Sequence, residues 1–232
     1  MAADFSVVFA LYPNITQLDF TGPYEVFTRV PGGRCLLASA AGGTIEADGG
    51  MTFAGVRKLE DIESCALLCV PGGLGTIQAL GDRRYLTELR RLAAAARYVT
   101  SVCTGSLLLA AAGLLTARRA ACHWAWRDSL AAFGAIPDPD RVVREGNIFT
   151  GGGVTAGIDM ALTVLAEIAG ADYAQAVQLG IEYAPMPPFD SGRPERARPE
   201  IVAAARKRSE AVRAEREAAV RSAAAALAAE QA

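Results

Sequence analysis

The chain has 232 residues but a single histidine, His123, and only two lysines, Lys58 and Lys207. Each scarcity removes a mechanism. No GxxxxGK[ST] segment exists, so a phosphate-binding P-loop is excluded by its own lysine requirement. No His/Cys spacing matches a metal centre, and no metal is expected. A basic excess is missing too, since Lys and Arg total 23 against 25 Asp and Glu, a net charge of −2. Nucleic-acid binding is therefore not expected. The opening residues, MAADFS, contain Asp4 and run straight into a strand-like stretch, without the basic and apolar regions of an export signal. The five cysteines, at 35, 65, 69, 103 and 122, are odd in number and lie mostly in apolar runs, which suits a reducing compartment rather than a disulfide framework. A cytoplasmic protein is the expectation. Tyr98 to Ala117 is twenty residues without a charge, about the length of a membrane span. Its Thr, Ser, Cys and Gly content predicts a buried strand, turn and helix instead, and no membrane association.

What the chain does have is apolar residues, 52% of the total against 21% charged, enough for one sizeable core at this length. Runs at Phe5–Leu11, Leu36–Ser39, Leu67–Val70, Tyr98–Val102 and Ile148–Thr150 are bounded by Gly or Pro and predict strands. Helical spacing over Tyr85–Ala96, Gly105–Ala112 and Thr155–Ala169 predicts helices between them. This alternation specifies an α/β sandwich with a mainly parallel sheet, whose ligands gather beyond the carboxyl ends of the strands. After Ala184 the segment APMPPFDSGRPERARP reads as an extended linker, and residues 200–229 as one long helix. Residues 193–232 carry nine basic and six acidic side chains, +3, against 14 − 19 = −5 for the rest. Interleaved signs and abundant Ala favour a solvated helix whose apolar edge packs on a second copy, over a basic arm for nucleic acid. The division is then 1–192 for the α/β domain and 193–232 for a helical, dimer-packing extension.

The chemistry concentrates at strand ends. In Tyr98–Ser106, YVTSVCTGS, a β-branched strand stops at Cys103 and restarts as a helix, the pattern of a nucleophile elbow. A helix N-terminus can lower a thiol pKa to roughly 3.5–7.5, so Cys103 is the candidate nucleophile, while Cys35, Cys65 and Cys69 read as structural. Gly72 and Gly73 follow the strand at Leu67–Val70 and form either a simple tight turn or backbone N–H donors for a substrate near Cys103. Gly151, Gly153 and Ala156 match G-x-G-x-x-A, but late in the chain, which disfavours a dinucleotide site. Asp19 follows the first strand; it is either an acid near Cys103 or a cap for a helix starting near Pro23. Glu25 is the alternative carboxylate. His123 either pairs with Cys103 or, the favoured reading, is a hydrogen-bonded structural residue.

The segments LDFTGPYEVF, VPGGLG, YVTSVCTGSLLLAAAGLL, HW and FTGGGVTAGIDMAL together resemble the ThiJ/PfpI superfamily, the cysteine branch of the class I glutamine amidotransferase-like folds, over about residues 5–185. SVCTGS, QLGIEYAP, PPF and the C-terminal helix extend the likeness to the isonitrile-hydrating members. The resemblance implies a flavodoxin-like three-layer sandwich, a homodimer, no cofactor, Cys103 as nucleophile and Asp19 as the nearby acid. It also implies Thr104 and the Gly72–Gly73 turn as groups facing a small-molecule isonitrile. Thr104 stands where peptidase members place histidine, and Asp19 where many stress-response members place glutamate. Regulators of the AraC type share LD-x-x-GP-x-E-V-F and VCTG but add a DNA-binding domain, disfavouring that role. The implied reaction adds water to R–N≡C, giving an N-substituted formamide through a cysteine thioimidate. A glyoxalase-like hydration of reactive carbonyls and a non-enzymatic thiol sensor are the alternative uses of the same cysteine.

Overall fold

A computed structural model describes residues 5–231. The strands are β1 (Phe5–Ala10), β2 (Gly33–Ser39), β3 (Gly43–Glu46), β4 (Thr52–Lys58), β5 (Leu67–Val70), β6 (Tyr98–Val102), β7 (Arg119–Ala121), β8 (Ile136–Asp138), β9 (Val142–Glu145) and β10 (Ile148–Gly151). The helices are α1 (Gln17–Phe27), α2 (Thr76–Ala79), α3 (Arg83–Ala95), α4 (Gly105–Ala111), α5 (Ala156–Ala169), α6 (Ala171–Gly180), α7 (Pro199–Ser209) and α8 (Arg213–Gln231).

Eight strands form one sheet in the order β3-β4-β2-β1-β5-β6-β10-β9. All neighbours are parallel except the β3–β4 and β9–β10 pairs at its two edges. Strands β5 and β6 are buried at every position, as a parallel sheet covered on both faces requires, which is why they read as continuous apolar runs without alternation. Helices α1, α5 and α6 pack on one another, and α2, α3, α4 and α8 form a second group, giving the flavodoxin-like sandwich. The chain runs from β1 outward to β2 and later from β5 outward to β6. Strand order thus reverses between β1 and β5, and the crevice at their carboxyl ends is the natural ligand position.

One expectation changes. Helix α1 begins at Gln17 with Pro23 inside it, instead of starting near Pro23. Proline at an interior position removes one intrahelical hydrogen bond, and Phe20 holds the helix regardless: its ring packs against Phe9 at 6.0 Å and Phe53 at 4.7 Å between centroids. The C-terminal segment is the expected long helix, α7 running on into α8 through a tighter turn at Glu210–Val212. Helix α8 buries Val220, Ala223 and Leu227 against α2, α4 and the short helix Arg127–Phe133 of its own chain. Arg216 stacks over Trp126 at 4.7 Å, and Glu230 bridges Arg83 and Arg90. Among the described residues, no helix is long and apolar enough to cross a membrane.

Candidate active site

Three strand ends converge on one cluster. Cys103 follows β6 directly, with φ +58°, the left-handed backbone of a strand-to-helix elbow. Its N–H is held by the Gly151 carbonyl at 3.0 Å. Gly105 permits the elbow: a Cβ there would run into the carbonyls of Val70 and Pro71.

Asp19, on the first turn of α1, is fully buried. Its Oδ2 accepts the Gly72 N–H at 2.9 Å, whereas Oδ1 has no hydrogen-bond partner of ordinary geometry. The neighbouring group that interacts with this carboxyl is the Cys103 thiol. A buried carboxylate oxygen without a donor is costly, and a proton shared with the thiol relieves it. The β1–α1 loop is tied to the same turn, because Thr16 N–H donates to Gly72 O at 2.9 Å and Gly75 N–H to Asn14 O at 3.0 Å.

The electrostatics correct one expectation. Burial, then the Asp19 charge, push the Cys103 thiol well above its ordinary range, and the Thr104 N–H aimed at the sulfur only partly opposes them. Helix α4, seven residues long, supplies too little to outweigh desolvation. Asp19 moves the same way: burial raises it to about 7, against the opposing interactions with the Cys103 thiol and Gly72 N–H. Like charges held close cannot both form in a dry site, so the carboxyl and the thiol titrate as a coupled pair.

Gly72, Gly73 and Thr104 all lie in the cluster, with their hydrogen bonds already used inside the protein. Gly73 N–H donates to Thr104 Oγ1 at 2.9 Å, and Gly72 N–H holds Asp19. The two glycine amides therefore hold the Asp19 carboxyl and the hydroxyl of the residue after Cys103, instead of standing free for a substrate. The Thr104 N–H reaches the sulfur itself. Glu25 points away, paired with Arg29 at 2.7 Å on an exposed face. His123 Nδ1 accepts Ala125 N–H at 3.3 Å, and burial lowers its pKa, which fits the structural reading. Burial raises Cys35 to about 11 and Cys65 and Cys69 to about 12; these thiols are inert. Cys122, likewise pushed to about 12 by burial, is one of the groups acting on Cys103. Sequence reasoning missed Tyr12 and Thr76, which join the cluster through Thr104. Thr76 directly follows the VPGGLG segment, whose position beside the site could have marked it, whereas no motif surrounds Tyr12. No group of three or more potential metal ligands occurs among the described residues.

Comparisons with known proteins agree with this fold. Over 201 residues, 87% of this chain and 88% of the relative, the sequence is 50% identical to an isonitrile hydratase of Pseudomonas putida. It is 31% identical to the HTH-type transcriptional regulator GlxA of Rhizobium meliloti, covering 66% of this chain but 45% of the regulator. The fold matches the crystal structure of a ThiJ/PfpI family protein from Pseudomonas syringae with a TM-score of 0.89 and 36% identity, covering 96% of this chain and 91% of that one. Drosophila melanogaster DJ-1beta shares the fold, with a TM-score of 0.70 at 21% identity, over 79% of this chain and all of that one. The model of the DJ-1/PfpI family matches residues 5–167, and with the elbow cysteine at its switch-point crevice the chain belongs to that family.

Proposed function

We propose that the protein is an isonitrile hydratase, converting R–N≡C and water to an N-substituted formamide. The observation that carries this reading is the Asp19–Cys103 pair, a buried carboxyl that interacts with a buried thiol, in a chain half identical to an isonitrile hydratase. An isonitrile carbon is a weak electrophile, because attack leaves negative charge on carbon. Addition therefore needs a nucleophile and a proton delivered to the same atom.

In the first step the Cys103 thiolate forms a C–S bond while the Asp19 proton goes to that carbon, giving R–N=CH–S–Cys103 and an Asp19 carboxylate. Water then adds across C=N, its hydroxyl to carbon and its proton, relayed by Asp19, to nitrogen. As the C–S bond breaks, the hydroxyl proton passes to Asp19, releasing R–NH–CHO and restoring the starting pair. Asp19 thus acts as acid, then as base, with no external reagent. The raised thiol and the 5% exposure of Cys103 speak against the alternative of an exposed sensor thiol, whose oxidation tracks thiolate character and access.

The expected partners are the small-molecule isonitrile and a second copy of the chain, with neither nucleic acid nor membrane involved, no cofactor and a cytoplasmic setting. Support for the homodimer comes from Leu179, Met186 and Phe189, all strongly exposed, rather than from α8. Incubation of the purified protein with cyclohexyl isonitrile should yield N-cyclohexylformamide. Conversion of methylglyoxal without any formamide would select the carbonyl-hydrating alternative.

A further inference from the structure

Three buried hydroxyls run from the active site into the body of the fold. Thr104 Oγ1 lies 2.7 Å from Thr76 Oγ1, which lies 2.9 Å from Tyr12 Oη, which lies 2.8 Å from the Pro71 carbonyl. A carbonyl only accepts, so Tyr12 donates its single proton to Pro71. Each hydroxyl has one proton to give, which fixes the rest: Thr76 donates to Tyr12, and Thr104 donates to Thr76. The order reads Thr104 → Thr76 → Tyr12 → Pro71. With its proton committed, Thr104 Oγ1 presents its lone pairs to the Gly73 N–H at 2.9 Å. It has no proton left for the sulfur or a substrate.

We infer that Tyr12 and Thr76 are positioning residues for the Asp19–Cys103 pair, acting through Thr104 and the Gly72–Gly73 turn. The chain of contacts is continuous. Tyr12 and Thr76 orient the Thr104 hydroxyl, that hydroxyl holds Gly73, and the adjoining Gly72 amide holds the carboxyl of Asp19. Tyr12 also anchors Pro71, the residue before this turn. Its phenol is close enough that both Asp19 and Cys103 act on it electrostatically. The other titratable groups acting on the pair are Asp48 on Asp19 and Cys122 on Cys103. Neither belongs to the relay. Asp48 is held separately by Thr16 Oγ1 at 2.8 Å.

This inference deepens the hydratase reading, but its test does not depend on it. The probe is iodoacetamide, and the readout is the pH dependence of Cys103 alkylation, resolved by peptide mass analysis in the full-length protein. Thr76→Val keeps the shape and deletes the relay's middle hydroxyl. The Thr104 proton is then free to turn toward Gly73 O, 3.3 Å away, and the turn loosens its hold on Asp19. With less support for the Asp19 carboxylate, the pair holds its first proton more tightly, so the alkylation midpoint should rise by about half a pH unit or more. Thr76→Ser should restore it. Tyr12→Phe, which removes the relay's end and leaves the ring, should move it the same way. If formamide forms, kcat should fall about tenfold in Thr76→Val with KM little changed, the mark of lost transition-state stabilisation.

An unchanged midpoint in folded Thr76→Val or Tyr12→Phe, with only the melting temperature lowered, would overturn the inference. So would an equal shift in Thr76→Ser, since the hydroxyl would then not be the cause. If Thr76→Val fails to fold, Tyr12→Phe carries the same decision. A shifted midpoint in a protein that makes no formamide would sink the hydratase reading and leave the relay standing.

Discussion

Gly72 donates its amide to Asp19 Oδ2 at 2.9 Å across 53 positions of sequence, and no other residue fits where it stands. A Cβ at Gly72 would lie 2.5 Å from Thr104 N, 2.6 Å from Thr104 Oγ1 and 2.8 Å from Asp19 Oδ2. The obstacles are a backbone atom and two side chains already fixed by hydrogen bonds. Gly72→Ala should therefore destabilise the fold by about 1–3 kcal/mol and displace the carboxyl from the thiol. Thermal melting reads the first effect and formamide production the second; a variant with normal turnover would contradict the tether.

Cys103→Ala should abolish turnover, because the sulfur supplies the nucleophile that makes the C–S bond in the first step. Intact-mass analysis of the wild type under slow turnover should find one added substrate mass, mapped to Cys103. An adduct confined to Cys35, Cys65, Cys69 or Cys122 would contradict the assignment.

Asp19→Asn should keep acceptance of the Gly72 N–H and lose proton transfer, lowering kcat by about a hundredfold or more. Its stability should move the other way. The carboxyl titrates at about 7 in the folded protein against the ordinary 3.8. Between those values the unfolded chain has released this proton and the native protein has not, so the wild type loses stability as pH rises from about 4 to 7, by at most about 4 kcal/mol. The Asn variant lacks that loss. Its melting temperature should overtake the wild type's across this window and match it near pH 4.

The pH profile of wild-type kcat/KM should have its acid limb near 7, where the doubly protonated pair gives up its first proton. Its alkaline limb should lie above the ordinary cysteine range, because the remaining proton is held by burial and by the carboxyl. A profile flat from pH 5 to 9 would mean that the pair does not carry the proton.

Deleting residues 199–232 should lower the melting temperature and leave self-association in place. The lost segment covers Val220, Ala223 and Leu227 against its own chain, and removing such a buried edge costs several kcal/mol. Sedimentation of the full chain should report a dimer at micromolar concentration. Dissociation of the truncated protein to monomer would return the interface to the C-terminal helices.

How far the sequence was readable depends on how local the cause was. Strands β5 and β6 could be placed to the residue, since full burial on both faces writes an unbroken apolar run. Cys103 stood out because its elbow lies within nine residues of text, from Tyr98 to Ser106. Strands β3, β4, β8 and β9 were invisible: they are short or half exposed, and their alternation is broken by Gly43, Gly55 and Pro137. Pro23 misled, since a proline that opens a helix and one tolerated inside it look alike until the packing of Phe20 is known. The thiol's direction of shift was misjudged because helix ends can be read locally while desolvation cannot. Tyr12 and Thr76 are 64 positions apart; Thr76 adjoins the VPGGLG segment, but nothing local ties Tyr12 to it.

The convergence of three strand ends also bears on the protein's birth. Asp19 lies on the first turn of the helix after β1, and Gly72 and Cys103 lie in the turns after β5 and β6; β1–β5 and β5–β6 are adjacent parallel pairs that local folding cannot bring together. A ribosome-bound chain that has not yet released β6 therefore holds an acid with no thiol to share its proton. The newly made cysteine emerges as an ordinary thiol and acquires its chemistry only when the sheet closes around it. On the hydratase reading, reactivity of Cys103 is in this sense a certificate of completed folding, and an unfinished chain would offer the cell no stray activity.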